Sequence, residues 1–230
     1  MKTRSRASAA NAWPVRRRPP ACRRAGGLRR TGQAFAALAR DRVFTGYALT
    51  VAFAYASLFG YISGSSFALQ ELYGLSPLQF SLVFALNAAG MIGLGLLNAR
   101  LVRRYRVRGL LLAGLLGSTV AALVLLGAVL GGLGVVAILI PLFLVVATRG
   151  LVSSNATVLG VERAPAAGSA SAVLGACMFA GGIVVTPLMA LGGEDTAVPM
   201  VAVVAGGAIA ALLATAVIAR VPKGRPEVTA

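Results

Sequence analysis

The sequence has no histidine, only two cysteines and only six acidic residues among its 230 residues. Histidine is the commonest metal ligand and general base, so its absence argues against metal-dependent and acid–base enzymes. Cys22 lies in a polar segment and Cys177 in an apolar one, so neither a disulfide between them nor a cysteine metal site is expected. We therefore predict that the protein is not an enzyme and has no catalytic residues, no metal and no cofactor.

The acidic residues are also missing from every apolar run. They are Asp41, Glu71, Glu162, Glu194, Asp195 and Glu227. A proton-coupled transporter usually needs a carboxylate or a histidine at membrane depth. The apolar runs therefore lack the group that would carry a proton, and they lack paired carboxylates for a metal or for headgroup transfer.

What the sequence does contain is apolar residues, which make up 58% of it, while only 12% is charged. They gather into runs of about 20 residues, the length that a helix needs to cross about 30 Å of hydrocarbon. The pattern predicts an all-α polytopic membrane bundle over residues 34–220, followed by a short tail over residues 221–230. Its six helices are expected at Phe44–Ala68, Pro77–Ala99, Gly109–Leu130, Leu133–Asn155, Ser169–Leu191 and Ala197–Ala219.

The net charge of +16 would suit a nucleic-acid-binding protein, but the distribution of charge argues against one. Eleven of the 22 basic residues lie between Lys2 and Arg40, and nearly all the others flank apolar runs, where they report membrane topology and contact with anionic lipid. Residues 1–33 have no acid and no apolar periodicity, so we predict that they are disordered. An organelle transit peptide and a misread start codon are alternative interpretations of this segment.

The links between the predicted helices alternate in charge. Those at Gln70–Ser76, Gly131–Gly132 and Gly192–Thr196 have no Lys or Arg, whereas Arg100–Arg108 has five arginines. The link near Gly160–Gly168 and the C-terminal tail are basic as well. The positive-inside rule then predicts that both termini lie on the cytoplasmic side of the cell (inner or plasma) membrane.

A few polar side chains interrupt or end the predicted helices. Arg149 is expected near the cytoplasmic end of helix four, where it either snorkels to the headgroups or faces an aqueous cavity and binds an anionic group. Asn87 lies near the middle of helix two, where an interhelical hydrogen bond is favoured and a cavity role is the alternative. Ser66 and Gln70 end helix one and either line a vestibule or cap the helix.

Helix five carries small residues at every fourth position, namely Gly168, Ala172, Ala176 and Ala180. Such spacing lets helix backbones approach closely, so we predict that this stripe packs helices together. A moving helix interface would use the same pattern.

Two stretches resemble the second half of the major facilitator superfamily, in its Bcr/CflA-type drug-resistance branch. The first, Ser63–Tyr105, has a serine-rich helix end, the turn Tyr73–Pro77 with the sequence Tyr-Gly-Leu-Ser-Pro, and then a helix with a central Asn87. The second, Ser153–Ala176, has Asn155 followed by Ala167–Gly175, which is similar to the Ala-Gly-Thr-Ala-Ser-Ala-Leu-x-Gly start of helix eleven in that branch.

The basic loop is similar to the superfamily's cytoplasmic motif, Gly-x-Leu-Ala-Asp-Arg-x-Gly-Arg-Arg. The matching residues are Gly95, Leu97, Arg100, Arg103 and Arg104, whereas Ala99 replaces the acid and Val102 replaces the second glycine. Without the acid the motif's charge relay is incomplete, and the arginines are expected to anchor the loop at the lipid headgroups.

The superfamily fold has two six-helix halves with the substrate cavity between them. The resemblance covers about residues 28–220 and implies the C-terminal half of a drug-efflux antiporter, inactive by itself, that exports a small amphipathic compound in exchange for protons. It implies cavity candidates, which are Ser66, Gln70, Asn87, Arg149 and Asn155. The expected partners are the lipid bilayer, the substrate, protons and a separate N-terminal half. The alternative is a self-assembling six-helix protein, either a homodimeric transporter or a scaffold.

Overall fold

The computed structural model describes residues 38, 40–164, 167–191 and 196–219. The expectations for residues 1–33, for most of the link Gly192–Thr196 and for the tail fall outside the described residues. The described chain forms six long helices, which are α1 Arg42–Phe67, α2 Pro77–Leu101, α3 Val107–Leu130, α4 Val135–Glu162, α5 Ala167–Leu191 and α6 Val198–Leu213. Each is long and apolar enough to cross a bilayer once the π-helical turns Ala68–Leu72 and Ala214–Ile218 that end α1 and α6 are included. The predicted all-α membrane bundle is confirmed.

The Tyr-Gly-Leu-Ser-Pro turn ends one helix and begins the next. Gly74 has a φ of +68°, a left-handed conformation that favours glycine and stops α1. The Ser76 hydroxyl accepts the backbone N–H of Gln79, and the Gln79 side chain accepts the backbone N–H of Ser76. Pro77 then stands at the first turn of α2, where its missing N–H costs nothing.

The main error in the predicted boundaries concerns α4. The helix was expected to end at Asn155 and instead continues for seven residues to Glu162. Gly160, which was assigned to a link, lies inside the helix and is buried. A Cβ at Gly160 would lie 3.0 Å from the Leu174 side chain, so this glycine serves the packing of α4 against α5 rather than the end of the helix.

The six helices pack as two interlocked groups of three. Helix α4 lies between α2 and α3, and α1 lies between α5 and α6. The two groups meet where α1 packs on α4 and α3 packs on α6. Exchanging α1 with α4, α2 with α5 and α3 with α6 leaves this set of neighbours unchanged, which is the pattern expected of an internal three-helix repeat.

Glycines bring both outer helices into backbone contact with the central ones. On α4, a Cβ at Gly150 would overlap the Met91 carbonyl oxygen of α2 and would lie 2.7 Å from the backbone nitrogen of Gly95. On α5, a Cβ at Gly181 would overlap the Ala52 carbonyl oxygen of α1 and would lie 2.9 Å from the backbone nitrogen of Ala56. The α2–α4 and α1–α5 contacts are therefore built in the same way, which supports the repeat.

Helices α2 and α5 are the least covered in the bundle. In the most apolar stretch of each helix, 6% of the residues of α2 and 17% of those of α5 are buried. The corresponding share in the other four helices is 39–56%. In the part of the chain that the structure describes, α2 and α5 make no extensive contact with each other. Because α2 packs on α4, α4 on α1 and α1 on α5, helices α1 and α4 lie between α2 and α5, and we call the region that the two uncovered helices flank the α2/α5 gap.

The small-residue stripe on α5 does not pack against the described bundle. Gly168, Ala172, Ala176 and Ala180 are all exposed, so as an account of packing among the described helices the prediction is wrong. Close packing of α5 comes instead from Gly181 and from Gly182, where a Cβ would lie 2.7 Å from the Phe59 ring. Because α5 is apolar all round, residue spacing alone does not mark the face that turns inward. Packing of the stripe against a partner stays a prediction.

Candidate functional site

Arg149 lies at the centre of the bundle rather than near a membrane surface. Because α4 continues to Glu162, Arg149 stands at the middle of the helix, with about 20 Å of helix between it and that end. Its side chain is only 3% exposed. Arg149 therefore does not snorkel to the headgroups, and the expectation that it lies near a helix end was wrong because the helix end itself was misplaced.

Two serines from neighbouring helices bond to one nitrogen of the guanidinium. Arg149 Nη2 donates to Ser57 Oγ of α1 over 2.9 Å and to Ser118 Oγ of α3 over 3.1 Å. Ser57 in turn donates to the Val204 carbonyl oxygen of α6 over 2.9 Å. Ser57 and Ser118 are both fully buried near the middle of their helices, so this network joins α1, α3, α4 and α6 at one depth.

The other two nitrogens of the guanidinium have no hydrogen-bond partner among the described residues. Both Nε and Nη1 of Arg149 are buried and unpaired. The three acids that the structure describes lie at helix ends: Asp41 caps α1, Glu71 lies in its last turn and Glu162 ends α4. A buried cation normally requires an opposite charge, and the described part of the bundle places none at this depth.

Tyr55 of α1 lies close to Arg149 and is partly exposed. Tyr55 and Ser57 are two residues apart on α1, so their side chains point about 200° apart around the helix axis. Ser57 faces α6, and Tyr55 consequently faces the opposite side, where it is only partly buried and packs beside Phe59. The Tyr55 hydroxyl interacts with Ser153 of α4 and lies within electrostatic range of Arg149. Tyr55 and Ser153 thus lie close to the Arg149 guanidinium.

Asn87 makes the interhelical hydrogen bond that the sequence favoured over a cavity role. Its Nδ2 donates to the Tyr61 hydroxyl of α1 over 2.9 Å, and the asparagine is 2% exposed. The Tyr61 ring stacks on Phe84 of α2 with 6.0 Å between ring centroids. This contact joins α1 to α2 and leaves the Asn87 amide little access to a ligand.

Ser66 and Gln70 bond to each other at the end of α1. Gln70 Nε2 donates to Ser66 Oγ over 2.9 Å, four residues earlier on the same helix. Ser66 is exposed and Gln70 is partly exposed. Both polar groups are accessible from outside the bundle, so a vestibule role stays a prediction.

Asn155 pairs with Asn98, for which the sequence analysis predicted no role. Asn98 Nδ2 donates to Asn155 Oδ1 over 3.1 Å, and Asn155 Nδ2 donates to Asn98 Oδ1 over 2.8 Å. Both side chains are at most 4% exposed. The reciprocal pair joins α2 to α4 three residues after Gly95 on α2. Both polar atoms of the Asn155 amide, which was expected to line a cavity, are therefore already hydrogen-bonded.

Replacing Asn98 with leucine is expected to destabilise the bundle by about 1–2 kcal/mol, because the buried Asn155 amide loses both of its partners. The double variant N98L/N155L should recover part of that loss, since neither polar group is then left unpaired. The unfolding free energies of the wild type, N98L, N155L and the double variant in an SDS titration measure the coupling. Strictly additive losses would show that the two amides do not interact.

The arginine-rich loop lies at one end of the bundle, which we call the basic end. Arg100, Arg103 and Arg104 are exposed there, consistent with contact with headgroups. Gly95, the first residue of the motif match, has a structural role of its own, because the backbone of α4 at Gly150 packs directly against it. Gly95 and the arginines matched one motif in the sequence, but in the structure Gly95 packs against α4 whereas the arginines are exposed.

The comparisons with known proteins agree with this architecture. The model of the Major Facilitator Superfamily matches residues 3–186, well over half of the chain. This chain belongs to the major facilitator superfamily. The resemblance inferred from the sequence is confirmed, and membership of a superfamily of transporters indicates transport rather than catalysis. The exchange that relates α1–α3 to α4–α6 is the relation expected between the three-helix repeats within each half of a major facilitator transporter.

Two curated relatives place the chain more narrowly. It is 35% identical over 167 residues to the uncharacterized MFS-type transporter YdgK of Bacillus subtilis, a match that covers 72% of this chain and 41% of that protein. It is 29% identical over 167 residues to the bicyclomycin resistance protein homolog of Haemophilus influenzae, covering 72% of this chain and 42% of that protein. The matches therefore span less than half the length of these major facilitator relatives.

Sequence reasoning found Arg149 but missed the residues around it. Ser57, Ser118 and Tyr55 are single polar or aromatic residues within apolar runs, and such residues are common enough in membrane helices to carry little signal. Their shared depth was the available clue. Each lies near the middle of its predicted helix, where a hydroxyl in hydrocarbon requires a partner.

Proposed function

We propose that this chain forms the C-terminal six-helix half of a proton-coupled transporter that exports small amphipathic compounds. The observation that carries the proposal is the low burial of α2 and α5, the two helices related by the internal repeat. In a two-half transporter the two halves meet across the substrate cavity. The α2/α5 gap would then open toward that cavity, and the exposed faces of α2 and α5 would pack against the other half.

The proposed cavity surface differs from the one expected from the sequence. Tyr55 of α1 and Ser153 of α4 are proposed to line the α2/α5 gap, because both are partly exposed on helices that lie between α2 and α5. Ser66 lies exposed on α1 nearer the end opposite the basic end. Asn87 and Asn155 support the wall instead, because their amides are already bonded to Tyr61 and Asn98. Substrate contacts are therefore proposed for the first group, with Arg149 behind it.

By itself the chain is expected not to couple export to protons. The three acids that the structure describes lie at helix ends, so no carboxylate is placed to carry a proton at mid-membrane in that part of the chain. Liposomes that contain only the purified chain, a trapped pH-sensitive dye and an ethidium gradient test this. We expect no ethidium-dependent proton flux above that of protein-free liposomes, and a flux that scales with the amount of protein would contradict the proposal.

The basic end of the bundle is proposed to face the cytoplasm. The loop Val102–Arg106 and Arg163 lie at that end, whereas Glu71 lies at the other. A cysteine at Tyr105, which is 60% exposed, should stay unlabelled by a membrane-impermeant maleimide in intact cells, and one at Leu133 should be labelled. Both variants need Cys22 and Cys177 replaced by serine. The reverse labelling pattern would invert the topology.

The rival function is a homodimer in which a second copy takes the place of the other half. The low burial of α2 and α5 also supports this homodimer, because two copies of the chain would present the same two helices to each other. Benzophenone maleimide attached at L86C on α2 or F179C on α5 should photocrosslink the chain in native membranes, whereas attachment at V120C on α3 should not. All three sites are 60–67% exposed, so accessibility is matched. An adduct of twice 23.3 kDa favours the homodimer, and an adduct with a different polypeptide favours the separate half.

A further inference from the structure

A groove with a volume of about 380 Å³ runs along the surface of the bundle between α3 and α4. That volume falls within the range of about 300–1,000 Å³ that is typical of sites for small ligands. Its base is formed by Ala121 and Pro141, which are both buried. Its rim consists of large apolar side chains that are between 47% and 60% exposed, namely Leu116, Val120 and Val124 of α3 and Ile140 and Leu144 of α4. The lining residues therefore form a concave surface of apolar groups.

Gly117 completes the lining and leaves space above the base. A Cβ at Gly117 would meet a single neighbouring atom within 4 Å, the Thr148 methyl carbon at 3.8 Å. The Thr148 hydroxyl donates to the Leu144 and Val145 carbonyl oxygens of its own helix, both over 2.9 Å. The threonine thus turns its methyl group toward Gly117 and keeps its hydrogen-bonding group within α4.

The depth of the groove follows from its position along the two helices. With a rise of about 1.5 Å per residue, Ile140 and Leu144 lie about 8 and 14 Å along α4 from Val135. By the same measure Leu116 lies about 21 Å along α3 from Leu130. The hydrocarbon core is about 30 Å thick, so the groove occupies the half of the membrane away from the basic end and reaches the midplane.

The link nearest to the groove has no side chain that could recognise a lipid headgroup. It joins α3 to α4 and has the sequence Gly-Gly-Leu-Gly over residues 131–134. The loop at the basic end, in contrast, exposes several arginines. A lipid held at the groove would therefore be recognised by its chain and not by its headgroup.

We propose that the groove between α3 and α4 binds an acyl chain of a phospholipid from the leaflet opposite the basic end. Both helices cross the membrane, so the surrounding solvent at this depth is hydrocarbon. An unfilled groove would leave its lining atoms without partners on one side, and a flexible chain supplies those partners. A transported compound would require polar groups to orient it, and the lining side chains offer none. The proposal goes beyond transport, because it concerns the surface between α3 and α4 rather than the α2/α5 gap.

Photolabelling with a phospholipid tests this proposal. The purified chain is reconstituted in phosphatidylcholine vesicles that include a phosphatidylcholine with a diazirine at the middle of one acyl chain. Irradiation attaches this chain to the residues that it contacts, and mass spectrometry of the digested protein locates the adducts. We expect the adducts to concentrate on Val120 and Ile140 rather than on Leu213 of α6, which is 54% exposed and lies outside the groove.

Gly117 allows the groove to be filled by substitution. In G117L the larger side chain should occupy the groove and reduce the adducts there to the frequency found at Leu213. The matched variant G117A adds one methyl group in ordinary contact with Thr148 and should keep the adducts. An SDS titration of both variants establishes that they fold. If G117L does not fold, V120F takes its place, because it fills the groove from the rim.

A second reagent separates recognition of the chain from recognition of the headgroup. Phosphatidylglycerol that carries the same diazirine chain should label the groove as strongly as phosphatidylcholine does. Groove labelling that does not exceed that at Leu213, that is unchanged in G117L, or that requires phosphatidylglycerol would overturn the proposal. A polypeptide adduct from V120C in native membranes would also overturn it, because a protein would then cover the groove. None of these measurements involves transport, so failure of the proposed efflux function would leave them unchanged.

Discussion

Replacing Gly150 with alanine is expected to destabilise the bundle by about 3 kcal/mol, the largest effect of any single methyl group in the described chain. The added Cβ would overlap the Met91 carbonyl oxygen and would lie 2.7 Å from the Gly95 nitrogen. Both obstacles are backbone atoms, so no side chain can rotate out of the way. Helices α2 and α4 would have to separate, which would also stretch the reciprocal Asn98–Asn155 pair.

Gly93 provides the matched control for this substitution. It lies on α2 close to the same contact, but a Cβ there would meet nothing within 4 Å. The variant G93A should be neutral or slightly more stable, because alanine is a better helix former than glycine. The unfolding free energy in an SDS titration should fall in G150A and not in G93A, and equal stabilities would contradict the packing described here. By the internal repeat, G181A should behave like G150A.

Most of the fold could be predicted from the sequence, because membrane helices depend on a simple property. A run of about 20 apolar residues is sufficient to identify a span, and the Ser76-Pro77-x-x capping signal places the start of α2 at Pro77. The end of α4 was missed because the helix was predicted to stop at Asn155, whereas Gly160, which was assigned to a link, is a packing contact with Leu174 inside the helix. That single error moved Arg149 from the middle of its helix to a position near the end.

The candidate site was less predictable, for a related reason. In a helix that is apolar all round, the sequence does not reveal which face meets a neighbouring helix. The pairing of Asn98 with Asn155 and the contacts of Arg149 with Ser57 and Ser118 therefore depend on rotations about helix axes that residue spacing leaves open. The same limit applies to the α5 stripe, which was predicted to pack helices together and is exposed on the described bundle.

We expect Arg149 to lower the unfolding free energy of the bundle, so that replacing it should raise that free energy. In the SDS-unfolded state the guanidinium can reach sulfate headgroups and water, whereas in the folded bundle it is 3% exposed with two unpaired nitrogens. Placing such a charge at the centre of a membrane costs about 2.5–3.5 kcal/mol on insertion scales. Its two hydrogen bonds to Ser57 and Ser118 return only about 1–1.5 kcal/mol at the strengths typical of membrane proteins.

The variant R149M should therefore be about 1–2 kcal/mol more stable than the wild type, because methionine is unbranched, apolar and able to fill an irregular space. An SDS titration of both proteins measures the difference, with S118A as the control that loses only one hydrogen bond and should lose about 0.6 kcal/mol. A less stable R149M would contradict the cost assigned to the buried charge.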